Sequence, residues 1–379
     1  MAFVSGPRQV GKTTACRGLS DAYLDWDNVD DRKVVVAGPA KTAERMGLER
    51  LADRPVVATL DEFHKYRRWK PFLKGFYDTY GDRVRLLVTG SSRLDVFRRG
   101  GESLMGRYFP FRMHPFSVAE VLHADPPGEA VIRPPREIPD PEFDALRDHG
   151  GFPEPFLKRD PRFTRRWQSL RHDQLLRGDV RDLTRIQELA QLEVFASLLV
   201  ERSGGQVVYS NLAQESGVSV DTARRWVQAL ASLHFGFLVR PWFRNVGRAL
   251  RKEPKWYLRD WSLPADPGVR AETLVACHLL KAVEGWTDLG LGRFELRYLR
   301  DKEKREVDFL VVRDRKPWFL VEVKAADTAL SPALAVFQKA TGAPHAFQAV
   351  MDLGFVRADC FSRADPAVVP ARTLLSQLL

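Results

Sequence analysis

Short apolar runs near the start of the chain predict a sheet that is buried on both faces. The runs are Ala2–Ser5, 56–60 and 84–92. Four of the five residues from 56 to 60 are apolar, and such runs are typical of parallel strands covered by helices on both sides. A helix is predicted at 12–20 and a further strand at 108–113. We therefore expect an α/β domain with a parallel sheet over residues 1–122.

The next segment changes character, because prolines and charges replace the apolar periodicity. It contains "ADPPGEAVIRPPREIPDPEF" and "GGFPEPFLKRDP", and proline both fixes φ and breaks helices. We predict a connector at 123–160, followed by a basic helix at 163–183. That helix is either a lid over a nucleotide or a solvated surface helix, and the connector and helix together span the predicted segment 123–185.

Helical periodicity returns from 186 to 243 and predicts a helix-turn-helix. An amphipathic helix precedes "YSNLAQESGVSVDTARRWVQALASLHFGFLVRPW", a stretch typical of helix, turn, helix and strand. Ser210 and Ser219 are the predicted N-caps of the two helices. With a wing from about Phe237, the segment is predicted to be a winged helix-turn-helix.

The second helix of this module has one apolar stripe and one polar, basic face. The stripe comprises Ala223, Trp226, Val227, Leu230 and Leu233. The candidate DNA-binding residues lie largely off it and are Thr222, Arg224, Arg225 and Gln228. An exposed Arg-Arg-x-x-Gln suits the major groove, where such side chains read base edges. The alternative is a packing module between domains that contacts no nucleic acid.

The last part of the chain follows the order helix, strand, strand, strand, helix. The helices are predicted at 269–283 and 330–341, and the strands at Phe294–Arg300 and within "REVDFLVV" and "PWFLVEVKAA". A strand at Lys255–Leu258 precedes them. This order matches the core of a restriction-endonuclease-like α/β fold, which we predict over residues 244–379.

Charged side chains are placed at regular positions in the hairpin "VDFLVVRDRKPWFLVEVK". Glu322 and Lys324 share one face of their strand because they are two residues apart, and Asp308 lies on the neighbouring strand. Glu272 would enter from the preceding helix, which gives a PD-(D/E)xK pattern without its proline. The predicted metal ligands are Glu272, Asp308 and Glu322, and the predicted catalytic residues are Asp308, Glu322 and Lys324. The alternative is a cross-strand salt bridge on an ordinary hairpin.

The start of the chain carries a phosphate-binding pattern. "GPRQVGKTT" satisfies GxxxxGK[ST] and lies between a predicted strand and a predicted helix. Glycines let backbone N–H groups wrap around phosphates, Lys12 can reach the β- and γ-phosphates, and Thr13 can ligate Mg²⁺. The predicted nucleotide-binding residues of this loop are Gly6, Pro7, Arg8, Gln9, Val10, Gly11, Lys12, Thr13 and Thr14. We therefore expect ATP or GTP as ligand and Mg²⁺ as cofactor.

Residues at the ends of the next buried strands complete this site. "PVVATLDEF" offers Asp61 to hold Mg²⁺ and Glu62 to activate water, as in a Walker B motif; the alternative is an acidic helix N-terminus. "VRLLVTGSS" offers Thr89 or Ser91 as a γ-phosphate sensor, or else a plain turn. Arg107 could reach a nucleotide in its own subunit or in a neighbour's, which would require a homo-oligomer, or it could form an ion pair independent of phosphate.

The amino-acid composition indicates the cellular compartment and the class of binding partner. The 379 residues are 44% apolar and carry a formal net charge of +10. An excess of Lys and Arg attracts polyanions, so the charge favours a nucleic-acid partner without proving one. No apolar run reaches the ~20 residues that span a bilayer, and no secretory leader is visible. The three cysteines lack metal-ligand spacing, so we expect a cytoplasmic protein without a membrane partner or a structural zinc.

Several motifs together resemble a known family. They are "GPRQVGKTT", "LDEFHK", "LVTGSS", "GRYFPFRMHPFS", "GVRAE", "EVDFLV" and "VEVK". They resemble bacterial and archaeal AAA-type P-loop ATPases with a C-terminal domain of unknown function. The resemblance covers nearly the whole chain, and it implies an ASCE-type ATPase core over 1–122 and a PD-(D/E)xK fold at the end. Relatives usually have a helical segment before the first strand, whereas this sequence begins almost at the strand.

Two functions follow from these observations. The first is an ATP-regulated DNA nuclease, in which Lys12, Glu62 and Arg107 serve ATP hydrolysis and the C-terminal domain cuts DNA. The second is a non-cleaving, ATP-driven switch that binds DNA or a protein partner. A kinase that uses the same phosphate loop ranks last, because no acceptor site is visible.

Overall fold

The computed structural model describes residues 1–90, 104, 106–123, 128–179, 188–243 and 253–379. Within these residues the chain divides into two units, Met1–His114 and Pro115–Leu379. In this described part of the chain, none of the helices combines the length and the apolarity that a bilayer crossing requires.

All five strands of the first unit run parallel, in the order β2-β3-β4-β1-β5. The strands are β1 (Ala2–Ser5), β2 (Ala22–Asp25), β3 (Val56–Asp61), β4 (Val84–Thr89) and β5 (Phe109–Arg112). The helices are α1 (Lys12–Leu19), α2 (Val29–Val36), α3 (Pro39–Arg45) and α4 (Trp69–Tyr80), and a 3-10 turn covers Phe63–Lys65. The prediction of an α/β fold with a parallel sheet is confirmed for this unit.

Apolar side chains on the central strands and on α4 form the core of the first unit. Leu60 on β3 and Val88 on β4 are fully buried, and so are Leu73 and Phe76 on α4. Each large apolar side chain contributes about 1.5–3 kcal/mol when it is buried. These two strands therefore lie in the interior of the sheet, as their near-continuous apolar runs indicate.

Parallel pairing brings the carboxyl ends of three strands to one edge of this sheet. β4 lies between β1 and β3, with Val4 opposite Thr89 and Leu60 opposite Val88. The phosphate-loop sequence follows β1, and Asp61 is the last residue of β3. Ligands of open α/β sheets bind at such an edge.

The second unit contains a mixed seven-stranded sheet in the order β12-β11-β10-β9-β8-β6-β7. Its strands are β6 (Gly236–Pro241), β7 (Lys255–Leu258), β8 (Phe294–Arg300), β9 (Glu306–Arg313), β10 (Lys316–Lys324), β11 (His345–Val350) and β12 (Ala367–Pro370). Its first helices are α5 (Val118–Leu122), α6 (Asp140–His149), α7 (Pro153–Lys158) and α8 (Pro161–Asp173), and a π-helical stretch at Gln174–Asp179 follows α8. The later helices are α9 (Leu189–Glu201), α10 (Tyr209–Ser216), α11 (Val220–Ser232), α12 (Pro267–Asp288), α13 (Pro332–Thr341) and α14 (Ala371–Ser376), with a 3-10 turn at Cys360–Ser362.

The seven-stranded sheet is covered on both faces, and β9 shows how the sequence achieves this. Successive side chains of a strand point to opposite faces. Phe309 and Val311 belong to the core that contains α12 residues, whereas Leu310 and Val312 belong to the core that contains α13 residues. The continuous apolar run of this strand is thus shared between two helices on opposite sides.

Helices α9, α10 and α11 have a separate core, which they share with one edge strand. The largest buried members of this core are Leu192, Phe195, Leu212, Trp226, Leu230 and Trp256. Trp256 lies on β7, and its neighbour Tyr257 belongs to the core of the sheet and α12. The edge strand β7 therefore joins the helical group to the sheet, and the boundary predicted between residues 243 and 244 falls inside the β6–β7 connection.

Of the two predicted helix N-caps, Ser219 agrees with the structure and Ser210 does not. The Ser219 side chain accepts a hydrogen bond from the backbone N of Thr222 at 3.1 Å, as an N-cap should. Ser210 is not a cap, because α10 begins at Tyr209 and Val208 occupies the N-cap position. The prediction for Ser210 is therefore wrong, since the helix starts before it.

Candidate functional site

The loop between β1 and α1 has the backbone of an anion-binding cradle. Gly6, Gln9 and Gly11 have positive φ angles of 148°, 62° and 95°. A Cβ atom on Gly6 would lie 2.3 Å from the carbonyl oxygen of Met113, so this position requires glycine for space as well as for conformation. Turns of this kind direct backbone N–H groups into one concavity, where the sequence predicts the phosphates.

The ammonium of Lys12 lies against the carbonyl groups of the same loop. Nζ donates to Gly6 O at 2.9 Å and to Pro7 O at 2.7 Å. Burial lowers the pKa of Lys12, and the nearby Glu62 and Asp61 oppose that shift. Neutral carbonyls are weaker partners for an ammonium than charged oxygens. The side chain is therefore positioned to exchange these carbonyls for phosphate oxygens.

The carboxylate of Asp61 is surrounded by three hydroxyl groups. Thr13 Oγ1 donates to Asp61 Oδ2 at 2.8 Å, the Tyr23 hydroxyl donates to the same oxygen, and Thr89 Oγ1 donates to Oδ1. Burial raises the pKa of Asp61, but the hydrogen bonds from Thr89, Tyr23 and Thr13 outweigh burial, so the pKa lies below its ordinary value. Asp61 is thus an ionised, oriented carboxylate. Tyr23 is part of the site although no sequence motif marks it.

Glu62 follows Asp61 in a left-handed backbone conformation, with φ of 51°. Its backbone N–H donates to Asp61 Oδ1 and to Thr89 Oγ1, both at 3.1 Å. Its carboxylate lies 3.2 Å from Lys65 Nζ, which also contacts Asp27 at 2.5 Å. Glu62 is therefore held by an ion pair beside the loop, and of the two candidate sensors Thr89 lies in this network.

Two further residues, Ser91 and Arg107, were predicted for this site. Ser91 lies outside the residues that the structure describes. Arg107 forms a paired contact with Asp78, with Nε 2.7 Å from Oδ1 and Nη2 3.2 Å from Oδ2. The phosphate-independent ion pair is thus the arrangement found for Arg107.

The donors at the phosphate loop fit a magnesium ion. Mg²⁺ prefers oxygen ligands and keeps several of its waters, so one or two protein ligands suffice beside a nucleotide. The Thr13 hydroxyl and the Asp61 carboxylate provide such oxygens within 2.8 Å of each other. Both were predicted as metal ligands, and they come from motifs 48 residues apart.

A second group of charged residues lies in the sheet of the second unit, around the ammonium of Lys255 on β7. Lys255 Nζ lies 2.6 Å from Glu306 Oε1, 3.0 Å from Glu272 Oε1 and 3.2 Å from Asp308 Oδ1. Burial disfavours the charge of Lys255, but Asp308, Glu272 and Glu306 outweigh burial and raise its pKa. The Tyr257 hydroxyl donates to Glu272 Oε1 at 2.6 Å. We call these five residues the Lys255 centre.

The predicted pair Glu322 and Lys324 lies next to this centre. Lys324 Nζ is 2.9 Å from Glu322 Oε1, and Asp308 Oδ2 accepts a hydrogen bond from the backbone N of Val323 at 2.9 Å. Glu322 Oε2 is buried, and none of the described residues donates to it. Burial and the neighbouring Asp308 raise the pKa of Glu322.

The Lys255 centre does not have the geometry that was predicted for metal binding. No three Asp, Glu, His or Cys side chains of the described residues are arranged to hold a metal ion. Glu272 and Asp308 do converge, as predicted, but they converge on an ammonium. Sequence reasoning missed Lys255 because strand β7 is remote from the hairpin in sequence, and only the folded chain brings its ammonium to the carboxylates.

The polar face of α11 is exposed, and its residues carry local contacts. Arg224, Arg225 and Gln228 are exposed and Thr222 is half-buried. Arg225 Nη2 donates to Thr222 Oγ1 at 3.0 Å, and the Arg224 guanidinium lies 5.2 Å from the centre of the Tyr209 ring. The four predicted residues thus share one surface of the helix.

Three family models match parts of the chain, and only the first of them has a descriptive name. Residues 1–122 match the model of an AAA domain. Residues 142–265 match a domain of unknown function, DUF8612, and residues 268–355 match another, DUF4143. The first 122 residues are therefore similar to an AAA domain, and the matches to the remainder name no activity.

Curated relatives share moderate identity with the chain. An uncharacterised protein of Mycobacterium tuberculosis and one of Mycobacterium bovis are each 26% identical over 275 residues, which are 69% of this chain and 55% of the relative. The chain thus spans about half the length of these relatives.

Solved structures show low similarity to the chain as a whole. The Aeropyrum pernix ORC1 protein in complex with DNA is 16% identical and covers 73% of this chain and 86% of its own, with a TM-score of 0.31. The Saccharomyces cerevisiae Hsp104-ADP complex is 15% identical and covers 76% of this chain and 40% of its own, with a TM-score of 0.26. Because both TM-scores are below 0.5, no functional conclusion follows from them.

Proposed function

We propose that this protein is a Mg²⁺-dependent ATPase whose nucleotide state controls a DNA-binding second unit that does not cleave DNA. The observation that carries the ATPase assignment is the meeting of the phosphate loop with Asp61. Thr13 at the start of α1 donates to Asp61 at 2.8 Å, and the adjacent Lys12 donates to the loop carbonyls of Gly6 and Pro7. ATP is the proposed nucleotide because residues 1–122 match an AAA domain and because a phosphate loop with this Lys and Thr binds the β- and γ-phosphates of a nucleoside triphosphate.

Each residue of this site has a proposed role in hydrolysis. Lys12 exchanges Gly6 O and Pro7 O for the β- and γ-phosphates of ATP. Thr13 and Asp61 would hold Mg²⁺, which would supply positive charge beside the transferred phosphoryl group. Glu62 leaves Lys65 and accepts a proton from the attacking water.

Two substitutions separate binding from hydrolysis and so test the ATPase proposal. Lys12→Ala removes the ammonium and should reduce ATP binding strongly, whereas Glu62→Gln keeps the shape of the side chain and should bind ATP while hydrolysing it at least about tenfold more slowly. Binding of a fluorescent ATP analogue and release of inorganic phosphate measure the two effects. Unchanged ATP affinity in the Lys12→Ala protein would overturn the assignment.

DNA binding by the second unit is proposed from the helices α10 and α11 and the strands that follow. Two helices separated by a turn at Gly217, with β6 and β7 as wing strands, support the winged helix-turn-helix interpretation. The exposed Arg224 and Arg225 suit phosphates or guanine edges. The net charge of +10 favours the same class of partner.

The restriction-endonuclease-like interpretation of the remaining sheet is supported by element order. Helix α12 is followed by strands β8, β9 and β10 and then by helix α13. Cleavage would need a metal that activates water beside the scissile phosphate. The non-cleaving form of the function is favoured, because Lys255 Nζ already contacts Asp308, Glu272 and Glu306.

A cleavage assay decides between the two forms. Single-stranded DNA, duplex DNA and RNA would be incubated with the protein, with Mg²⁺ or Mn²⁺ and with or without ATP. We expect no products above those of an Asp308→Ala control. Products that depend on Asp308 would establish the nuclease in place of the non-cleaving switch.

A further inference from the structure

We propose that Lys255 is the resident cation of the carboxylate centre in the second unit, and that a divalent metal ion can bind there only when Lys255 is absent. The ammonium takes the position that a metal would need, between carboxylates from two different elements. This inference rests on the non-cleaving form of the proposed function. It adds that the Lys255 ammonium and a divalent metal ion exclude each other at this centre.

The geometry at Lys255 is that of a saturated ammonium. An ammonium has three N–H donors, and Lys255 Nζ has three carboxylate oxygens within 3.2 Å. Glu272 comes from α12, and Glu306 and Asp308 come from β9. The Lys255 side chain is only 4% exposed. A buried charge of this kind is tolerated only when its donors are matched with acceptors of opposite charge.

The neighbouring carboxylates also have protein partners. Glu306 Oε2 accepts from Arg300 Nη1 at 2.8 Å, and Glu322 Oε1 accepts from Lys324 Nζ at 2.9 Å. Glu272 Oε1 also accepts from the Tyr257 hydroxyl. The four carboxylates thus face three cations of the chain itself, which leaves at most one negative charge. A divalent ion is usually drawn by a larger excess of carboxylate charge.

Lys255 also connects the centre to the helical group. It lies on the edge strand β7, where the adjacent Trp256 packs among α9, α10 and α11. An isolated bridge pairs Gln206 with Lys255. The ammonium therefore ties the strand that borders the proposed DNA-binding helices to α12 and β9. A metal ion that displaced it would also release this connection.

Counting Mn²⁺ ions bound to the full-length protein by electron paramagnetic resonance tests the proposal. Wild type and Asp308→Asn should bind the same number of ions, because any site at the phosphate loop lies in the other unit and is common to both. Lys255→Met removes the ammonium but keeps an unbranched stem that ends at Cε, and it should bind about one more Mn²⁺ per chain than wild type. A wild-type Mn²⁺ ion that is lost in Asp308→Asn would overturn the proposal, and so would a folded Lys255→Met protein that gains no ion.

A second measurement, the thermal unfolding midpoint, shows whether the variants fold. Lys255→Met takes the ammonium away from Glu272 and Asp308, whereas Glu306 keeps Arg300. The thermal midpoint of this variant should therefore fall and should rise again on addition of Mn²⁺. Lys281→Met is the matched control, because Lys281 is another mostly buried lysine of the same unit and pairs with Glu120; its midpoint should not respond to Mn²⁺. If Lys255→Met does not fold, the comparison of wild type with Asp308→Asn alone decides.

The same preparations distinguish this inference from the proposed function. If the wild-type protein binds Mn²⁺ at the Lys255 centre and still does not cleave DNA, the proposed role of Lys255 is overturned. The proposal of a non-cleaving ATPase then remains in place. Absence of ATP hydrolysis by the wild-type protein would contradict the proposed ATPase function, and the number of bound Mn²⁺ ions would still test the role of Lys255.

Discussion

The Thr13 hydroxyl donates a hydrogen bond of 2.8 Å to the Asp61 carboxylate and joins the start of α1, after β1, to the end of β3. Strand β4 lies between these two strands in the sheet, so the contact depends on the side chains that extend past the sheet edge. One hydroxyl and one ionised carboxylate thus face the same small volume, which is the arrangement that a nucleotide-bound Mg²⁺ requires.

Removing the Thr13 hydroxyl should weaken the use of Mg²⁺ in ATP hydrolysis. Thr13→Ala takes away one oxygen ligand, and we expect the apparent Mg²⁺ affinity in the ATPase assay to fall about 10- to 100-fold. Thr13→Ser keeps the hydroxyl and should retain most of the affinity. Titration of Mg²⁺ at fixed ATP measures the effect. Identical Mg²⁺ curves for Thr13→Ala and wild type would exclude Thr13 as a ligand.

Alanine at Gly6 should disrupt the first unit. The added Cβ would lie 2.3 Å from Met113 O, and φ at this position is 148°, which non-glycine residues rarely adopt. We expect a cost of about 1–3 kcal/mol from backbone strain alone, with further loss from the clash. Gly18→Ala is the matched control, because Gly18 is in α1 with open space around its Cβ position. Chemical denaturation should show Gly18→Ala to be neutral or more stable; equal destabilisation of both variants would contradict the role of Gly6.

Neutralising two arginines on α11 should weaken DNA binding and reduce its salt dependence. If Arg224 and Arg225 each contact one phosphate, the double alanine variant should lower the slope of log affinity against log salt by about 2. The control is the double alanine variant of Arg165 and Arg166, another exposed Arg-Arg pair, on α8. Fluorescence anisotropy with duplex DNA at several salt concentrations measures both slopes. An equal loss for the two variants would indicate nonspecific attraction by net charge.

Local sequence patterns predicted most elements, because apolar periodicity is a local signal. β1, β7 and β8 have the predicted bounds, and the phosphate loop and Asp61 meet as their motifs imply. Tyr23 and Lys255 were not predicted, because each reaches its site through long-range packing rather than through a spacing in the sequence. β2 pairs with β3 and brings Tyr23 to Asp61. Lys255 lies on the edge strand β7, which β6 and β8 separate from β9 in the sheet order, and its ammonium still contacts Asp308.

The same distinction explains why the nature of the second centre could not be predicted. The sequence pattern supplies Glu272, Asp308 and Glu322 in the right order, and such carboxylates serve equally well as metal ligands or as partners of a lysine. Only the position of the Lys255 ammonium distinguishes these alternatives. The decision depends on one long-range contact, which no local motif encodes.

Acid should destabilise the second unit through His278, which is fully enclosed on α12. His278 Nε2 accepts a hydrogen bond from the backbone N of Val118 at 3.1 Å, and Nδ1 lies 2.8 Å from Leu274 O. The ring is therefore neutral, with its proton on Nδ1. Burial lowers the pKa of His278 to about 4, and protonation would break the contact with Val118.

The sign of the pH effect follows from the two states of this histidine. In the unfolded chain its pKa is about 6.5, so between about pH 6.5 and pH 4 the unfolded state binds a proton that the folded state excludes. The contribution of His278 to the free energy of unfolding is complete above that range and is lost as the pH falls through it. Between about pH 7 and pH 5 the loss is about 2 kcal/mol. Urea denaturation of wild type and His278→Gln at these two pH values measures the loss, and the difference between the proteins removes the contribution of other groups. Although His278→Gln should be less stable at about pH 7, its stability should fall less on acidification; parallel losses in the two proteins would show that His278 is not the group responsible.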